Sequence, residues 1–338
     1  MPGGRRSSGA MGVSMRVAVT GGTGYLGAHV VRSLLTAGHE VRLMVAPGEQ
    51  VDKLVVALSE LGPVEQFAGD VRSPDVVRSL LEGCDAVIHA AGVVGTDDRR
   101  AELMWEVNAY AAESVLRSAV DLGLDPVVLV SSYAVFTPTD DPVINLETAT
   151  AEARSAYGQS KAHAERYART LQDEGAPVVI TYPSSVVGPA FHTNVGITEQ
   201  GWSTITRARW APRVHGGMPM VDVCDIGEVH SRIVDAGPGH GPRRYLCGGL
   251  LMPFDGMVDA VENGMGRKVR RIPLSPGLFR AIGRAADSVG RWVPISGGFS
   301  RDAAELLTAA TPTDDRETLA DLQMQWRSPA EAIVATFS

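Results

Sequence analysis

The chain has 338 residues, 44% apolar and 21% charged side chains, a net charge of −8 and an isoelectric point near 5.5, values ordinary for a globular protein that buries a substantial core in one large or two unequal domains. The acidic balance argues against nucleic acid as a partner, and no apolar run approaches the ~18 residues that a membrane span needs. Cys84, Cys224 and Cys247 are odd in number and far apart, which excludes a disulfide framework and zinc spacing and predicts a reducing, cytoplasmic compartment with no metal site.

The opening MPGGRRSSGAMGVSM contains adjacent arginines, but no apolar stretch follows them before Arg16, so a twin-arginine export signal is not supported. Residues 1–14 are expected to be a disordered extension, with Met11 and Met15 as alternative starts. From Arg16 onward short apolar runs alternate with amphipathic ones. RVAVT (16–20), EVRLMV (40–45), VEQFAGD (64–70), DAVIHAAG (85–92), PVVLVSS (126–132) and PVVITYPSS (177–185) predict strands. Helices are predicted over YLGAHVVRSLLTAG, PDVVRSLLEG, ELMWEVNAYAAESVLRSAVDLG and SAYGQSKAHAERYARTLQDEG, several closed by glycine. Near-continuous apolar strands separated by helices mean an α/β fold with a doubly wound parallel sheet covered on both faces.

After residue 186 the rhythm gives way to a loop-rich stretch. MPMVDVCDIGEVHSRIVDAG then reads as a short strand and helix, RRYLCGG as a strand, and the chain beyond 254 as mostly helical. The expected division is a dinucleotide-binding Rossmann domain over 15–188 plus about 221–248, and a smaller, mostly helical substrate domain over about 189–220 plus 249–338.

VAVTGGTGYLGAHVVRSLL is the strongest local signal. Gly21, Gly24 and Gly27 follow the first strand at three-residue spacing, and a helix opens around Tyr25. In this setting the first glycine permits a tight turn, the second lets a pyrophosphate approach the backbone, and the third lets helix pack on strand. Free N–H groups and the positive helix end then face the phosphates. A purely structural turn is the alternative. At the end of the second strand an acid would select NAD and an arginine NADP. Val45 and Ala46 offer neither, Glu49 lies further on and Arg42 lies inside the strand. NAD and NADP both stay open, with a slight lean to NADP because no acid repels its phosphate. Asp70 is placed either to accept from the adenine amino group or to cap the next turn.

Tyr157 and Lys161 stand at i and i+4, on one helix face. An ammonium beside a phenol favours the phenolate and lowers its pKa, which suits proton exchange near neutral pH. Hydride transfer to a ketone builds an alkoxide, so a proton donor and a second hydrogen-bond donor must meet at that oxygen. Ser132 ends a parallel strand at the carboxyl edge where such sheets bind ligands.

Thr20 to Gly27, Asp70, HAAG (89–92), Asn108 in WEVNAYAAESVL, VSSYAVF (130–136), YGQSK (157–161) and PSSVVGP (183–189) occur in an order that resembles the extended short-chain dehydrogenase/reductase family over roughly residues 15–235. The C-terminal part is more loosely similar to the dihydroflavonol-reductase, 3β-hydroxysteroid-dehydrogenase and NAD-dependent sugar-epimerase/dehydratase branch. The resemblance implies that Tyr157 is the general acid/base, that Lys161 lowers its pKa and holds the nicotinamide ribose, that Ser132 supplies the catalytic hydroxyl, and that Asn108 fixes the active-site helix and a water-mediated proton path. It implies cofactor contacts at Gly21, Thr23, Gly24, Tyr25, Leu26, Gly27, Asp70, Val71, Ala90, Ala91, Gly92, Ser131, Tyr157, Lys161, Pro183, Ser185 and Val186, with the backbone after Pro183 holding the carboxamide. It also implies a homodimer through helices at 103–122 and 155–174.

Two positions depart from the family pattern: Tyr182, often arginine, and Val135-Phe136-Thr137 in place of valine-tyrosine-glycine. His89 reads as a core histidine, and His192 and His215 as surface residues of the substrate-side loops. The basic stretch carrying Arg267, Lys268, Arg270, Arg271, Arg280, Arg284 and Arg291 includes an apolar helical face with Leu278, Phe279, Ile282 and Trp292. A packed helix with a solvated basic side is favoured there over a substrate lid or a membrane-surface helix. The leading function is an NAD(P)-dependent oxidoreductase that interconverts a secondary alcohol and a ketone on a small molecule. A nucleotide-sugar epimerase or dehydratase using bound NAD comes next. A dinucleotide-sensing regulator without turnover comes last, because the chain keeps the Tyr/Lys pair.

Overall fold

The structure is a computed structural model that describes residues 14–95, 98–290 and 301–338. Of the extension expected over 1–14, only Ser14 lies within the described residues; its hydroxyl donates to the Gly38 carbonyl at 2.8 Å. In chain order the first half supplies β1 (Arg16–Thr20), α1 (Tyr25–Ala37), β2 (Glu40–Val45), α2 (Asp52–Ser59), β3 (Val64–Ala68), α3 (Pro74–Leu81), β4 (Ala86–His89), α4 (Ala101–Met104), α5 (Ala111–Asp121), β5 (Val127–Val130), α6 (Ala156–Asp173) and β6 (Val178–Pro183). The second half adds β7 (Ser185–Val187), α7 (Ile197–Ala208), β8 (Trp210–Arg213), β9 (Gly217–Asp222), α8 (Val223–Asp235), β10 (Arg243–Cys247), β11 (Leu250–Pro253), α9 (Phe254–Met265), β12 (Arg270–Pro273), α10 (Pro276–Gly290), α11 (Arg301–Ala309), α12 (Arg316–Asp321) and α13 (Pro329–Ala335).

The main sheet has seven strands in the order β3-β2-β1-β4-β5-β6-β10, and every neighbouring pair is parallel. Side chains alternate across it, as a strand requires. Val17 and Val19 enter one buried layer with Val30, Leu34 and Ile233, carried by α1 and α8. Ala18 and Val87 enter the other with Leu80, Leu116 and Ala168, carried by α3, α5 and α6. Each fully buried Val or Leu contributes about 1.5–3 kcal/mol, and a one-residue slip would exchange the two layers, so these residues fix the register. The strand order reverses between β1 and β4, and a sheet of this kind opens its ligand crevice at the carboxyl ends of the strands on either side of that point.

Four details differ from the periodicity. The apolar run 177–185 is two strands, because the chain leaves the main sheet at Ser184, whose hydroxyl donates to the Gly248 carbonyl at 2.7 Å. Ser185–Val187 then joins the three-stranded sheet β11-β9-β7. The helix expected over 103–122 is interrupted by a six-residue π-helical segment, Trp105–Tyr110. Helix α2 was not predicted. The stretch read as loops after 186 contains α7 and β8, stabilised by a third core cluster that includes Trp202, Ala211, Met252 and Phe254. Strand β8 pairs with β12 in a separate two-stranded parallel sheet. Among the described residues no helix is long and apolar enough to cross a membrane.

Candidate active site

The loop after β1 forms a cradle. Gly21 has φ +70°, and a Cβ there would fall 2.4 Å from the amide nitrogen of Ala91, beyond β4. A Cβ on Gly27 would fall 2.1 Å from the Gly21 carbonyl oxygen. Both glycines therefore keep loop, helix and β4 edge closer than any side chain allows. Gly24 is exposed and caps α1 without a side-chain bond, and the first turn of α1 holds no acid. Its free N–H groups and positive dipole end are thus open to an anion. Thr23 lies half-buried in the turn, and Leu26 packs on the core. A dinucleotide pyrophosphate fits this cradle. Tyr25 turns elsewhere: its hydroxyl lies 2.7 Å from the Gly188 carbonyl and 3.0 Å from Glu199 Oε1. Gly188 N–H donates to the same Glu199 oxygen at 3.1 Å, and burial pushes the Glu199 carboxyl above its ordinary pKa. Glu199 lay outside the sequence reading, since nothing local links it to Tyr25.

Toward the adenosine end, Asp70 and the half-buried Val71 follow β3. Asp70 caps its own turn, accepting from Arg72 N–H at 2.9 Å. The Arg72 guanidinium grips the same carboxylate at 2.7 Å and bridges to Glu106 at 2.8 Å, holding the Asp70 carboxyl below its ordinary pKa. Arg42 is engaged by Glu65 and by the carbonyls of Leu80 and Glu82, so it is not free for a 2′-phosphate. Past the end of β2, Glu49 folds back to accept from Ala46 N–H at 3.3 Å. The turn thus places an acid at the strand end that the spacing left bare.

The ends of β4, β5 and β6 converge beside this cradle. Ala90 and Ala91 are half-buried and Gly92 is exposed; a Cβ on Gly92 would lie 3.3 Å from Asn108 Oδ1 and 3.5 Å from Lys161 Nζ. Asn108 is buried within the π-helical segment. It accepts from Val93 N–H at 2.7 Å and donates to the Val93 carbonyl at 3.0 Å and to the Ser160 hydroxyl at 3.2 Å. It therefore ties the loop after β4 to α6. Ser131 and Ser132 are buried beyond β5; the Ser131 hydroxyl has no partner, and Ser132 Oγ accepts from Ala134 N–H at 3.2 Å. Pro183 is buried at the end of β6, and Ser185 and Val186 are half-buried in β7, with Ser185 Oγ 3.7 Å from the Met218 sulfur.

Tyr157 and Lys161 both reach this cluster, but their electrostatics differ from the expectation. Burial holds the Tyr157 phenol above its ordinary pKa, and the neighbouring Ser132 hydroxyl opposes that shift. Lys161 is buried, and desolvation pulls its ammonium down to about 8 while Nζ donates to the Val130 carbonyl at 3.0 Å. The lysine thus does not lower the tyrosine here. His89 is 1% exposed in β4. Its Nδ1 lies 2.8 Å from Thr20 Oγ1 and its Nε2 has no partner. Burial, aided by the Lys161 charge, pulls it down to about 3, so it stays neutral. Tyr133, passed over in the sequence although it adjoins Ser132, is 5% exposed. Its hydroxyl makes no hydrogen bond of ordinary geometry, with Ser185 and Tyr157 as its polar neighbours.

A family model described as the NAD dependent epimerase/dehydratase family matches residues 17–229. The chain belongs to this family. A protein of Synechocystis sp. named as a dihydroflavonol 4-reductase is 28% identical over 247 residues, 71% of this chain and 69% of that protein. Sterol demethylase protein B of Methylococcus capsulatus is 27% identical over 279 residues, 82% of this chain and 83% of the relative. The structure of UDP-glucuronic acid 4-epimerase from Bacillus cereus in complex with NAD has the same fold, with TM-score 0.73, 15% identity, and coverage of 96% of this chain and 95% of that one.

As an epimerase/dehydratase-family member the chain is an NAD-dependent enzyme of the extended short-chain type. The two departures from the family pattern prove to be linked. Tyr182 is fully buried, its ring 4.8 Å from that of Phe136 and its hydroxyl donating to buried Glu165 at 3.0 Å. His192 and His215 are exposed. Helix α10 packs through Phe279, 6.3 Å from Phe254 between ring centroids, while Leu278 and Ile282 face outward; Arg291 and Trp292 lie outside the described residues.

Proposed function

We propose that the enzyme interconverts a secondary alcohol and a ketone on a small apolar ring molecule, with Tyr157 as the acid/base. The observation that carries this reading is the placement of half-buried Tyr157 beside the buried Ser132 hydroxyl, next to the glycine cradle. Bound dinucleotide supplies or accepts the hydride. Tyr157 then gives its proton to the substrate oxygen in reduction and takes it back in oxidation. Ser132 donates the second hydrogen bond at that oxygen, where charge develops in a water-poor site. Lys161 is held at the end of β5 by the Val130 carbonyl, and Asn108 ties the loop after β4 to the helix that carries Tyr157 and Lys161. The names of the two curated relatives support a fused-ring substrate. In this reading the dinucleotide occupies 15–188 with 221–248, touching the glycine loop, Val71, Ala90–Gly92, Ser131 and Pro183–Val186, and 189–220 with 249–338 bind substrate. NAD is the preferred form, supported by engaged Arg42 and by Glu49 at the end of β2.

The nucleotide-sugar epimerase reading draws on the fold neighbour. The two are separated by incubating the protein with NADH, then NADPH, and a panel of ketones that includes flavanones and steroids. Steady oxidation of NADH with one of these supports the reductase. NAD retained through dialysis, with no net turnover of added NADH on any ketone, overturns it. We also infer a homodimer through the outer face of α5 and α6, supported by Tyr110, 56% exposed, in an aromatic cluster with Trp105 and His163. Light scattering of the protein and of Tyr110→Glu tests it.

A further inference from the structure

The two-stranded sheet β8–β12 has one face that is largely exposed. Trp210 pairs with Arg270 and Pro212 with Ile272; these four share a face, because side chains alternate along each strand. Trp210 is 46% and Ile272 41% exposed, and Arg270 is exposed between them. The other face carries Ala211, buried in the third core cluster. Arg207 and Arg209, at the end of α7, and Arg267, before β12, add exposed positive charge beside it. Neighbouring Arg213, Lys268 and Arg271 are neutralised by Asp255, Glu262 and Asp259. Arg207, Arg209, Arg267 and Arg270 form no ion pair among the described residues. This patch is strongly basic and aromatic on a chain whose net charge is −8.

A second observation concerns the backbone. Arg209 closes α7 in the left-handed conformation, φ 54° and ψ 29°, a position that glycine fills without penalty and other residues avoid. Arg209 directly precedes Trp210, and its backbone carbonyl accepts from Arg270 N–H at 2.9 Å, which puts this residue at the rim of the exposed face.

We propose that this face is a docking surface for an anionic lipid membrane. Arginine head groups meet lipid phosphates, while Trp210 and Ile272 enter the boundary between head groups and acyl chains, where amphipathic aromatic rings are favoured. A nucleic acid supplies the negative charge without an apolar layer for Ile272. A second copy of the chain docked face to face brings the same positive patch against itself. The enzyme is thereby held at a lipid surface from which an apolar substrate can be drawn. The docking itself does not depend on which reaction the site performs.

The test is sedimentation of the full chain with vesicles of phosphatidylcholine alone and of equimolar phosphatidylcholine and phosphatidylglycerol, at low and high salt. Binding is expected only to the anionic vesicles and is expected to weaken with salt. Arg270→Glu abolishes most of it, and Trp210→Ser weakens it. Arg209→Gly lowers partitioning about fivefold, the effect of removing one basic contact, while the melting temperature is unchanged or rises. NADH affinity is unchanged in all three, which separates this outcome from loss of the fold or failure of the proposed reaction. The proposal is overturned if anionic vesicles do not bind, or if Arg209→Gly and Arg270→Glu bind as the parent does. It is equally overturned if a single-stranded oligonucleotide or a self-associated dimer occupies the face in place of the vesicle.

Discussion

Lys161 donates to the carbonyl of Val130 at 3.0 Å, so the ammonium of the Tyr-x-x-x-Lys pair is anchored to the end of β5 rather than to the phenol one turn before it. Strand β5 also leads into Ser131 and Ser132. One strand end therefore sets the position of both the cation and the hydroxyl that flank Tyr157.

The first consequence concerns Tyr157. Replacing it with phenylalanine removes the proton donor and leaves the ring. Turnover of an identified ketone is expected to fall about 10²- to 10⁴-fold, the range for a general acid, with the NADH dissociation constant unchanged within about twofold. Stopped-flow turnover and a fluorescence titration measure the two quantities. Retention of most of the turnover rules out Tyr157 as the acid.

Burial of Lys161 has a cost that pH exposes. Its folded-state pKa is about 8, below the unfolded value near 10.4. Between these values the unfolded chain binds the extra proton, so stability rises with pH across the window from about 8 to 10.4 and the full penalty applies below it. Lys161→Met removes a penalty of about 3 kcal/mol at pH 7 and loses that rise. Urea denaturation of both proteins across this window decides it, and parallel curves contradict the buried charge.

Gly27→Ala places a methyl group 2.1 Å from the Gly21 carbonyl, and backbone must move. A loss of about 1–3 kcal/mol is expected, as for overpacking, together with at least a tenfold loss of NADH affinity. Gly38→Ala is the control: φ is +97° with nothing within 4 Å of the added carbon. It is expected to lose about 1 kcal/mol and to bind NADH normally.

Two buried, neutral histidines weaken the fold in acid. His89 is pulled down to about 3 and His230 to about 4, both by burial. As pH falls below about 6.5 the unfolded chain takes up protons first, so each histidine removes about 1.4 kcal/mol per pH unit until its folded pKa is reached. His230→Gln, retaining a partner for the Thr181 hydroxyl, is expected to lessen the loss of stability between pH 6 and 4 by about 1.4 kcal/mol per pH unit relative to the parent, followed by thermal melts. An unchanged slope means His230 is charged in the folded state.

Much of the fold was legible because its signals are local. Val17 to Val19 are fully buried and read as a strand in isolation, since the apolar run itself drives the burial. The elements that escaped were those whose burial comes from distant partners. Trp202 is 7% exposed because α7 packs on the third core cluster, which its own sequence does not announce. Tyr157, Lys161, Ser132 and Asn108 stood out as candidates by spacing and by resemblance. Tyr133 was not, because an aromatic after a strand is ordinarily core and its unpaired hydroxyl is visible only in the packed structure.

The sequence by itself determined the alternation of strand and helix, the glycine cradle and the order of the polar motifs, because residue type and spacing along the chain are enough to specify each of them. Tertiary structure decided what every polar group faces. Tyr25 meets Glu199 across 174 residues, Glu49 returns to the end of β2, and Lys161 turns to Val130. Hydrogen-bond partners and desolvation are properties of neighbours in space, and those neighbours come from remote parts of the chain. For that reason the protonation behaviour of Tyr157, Lys161 and His89 emerged only once the sheet and its helices had closed around them.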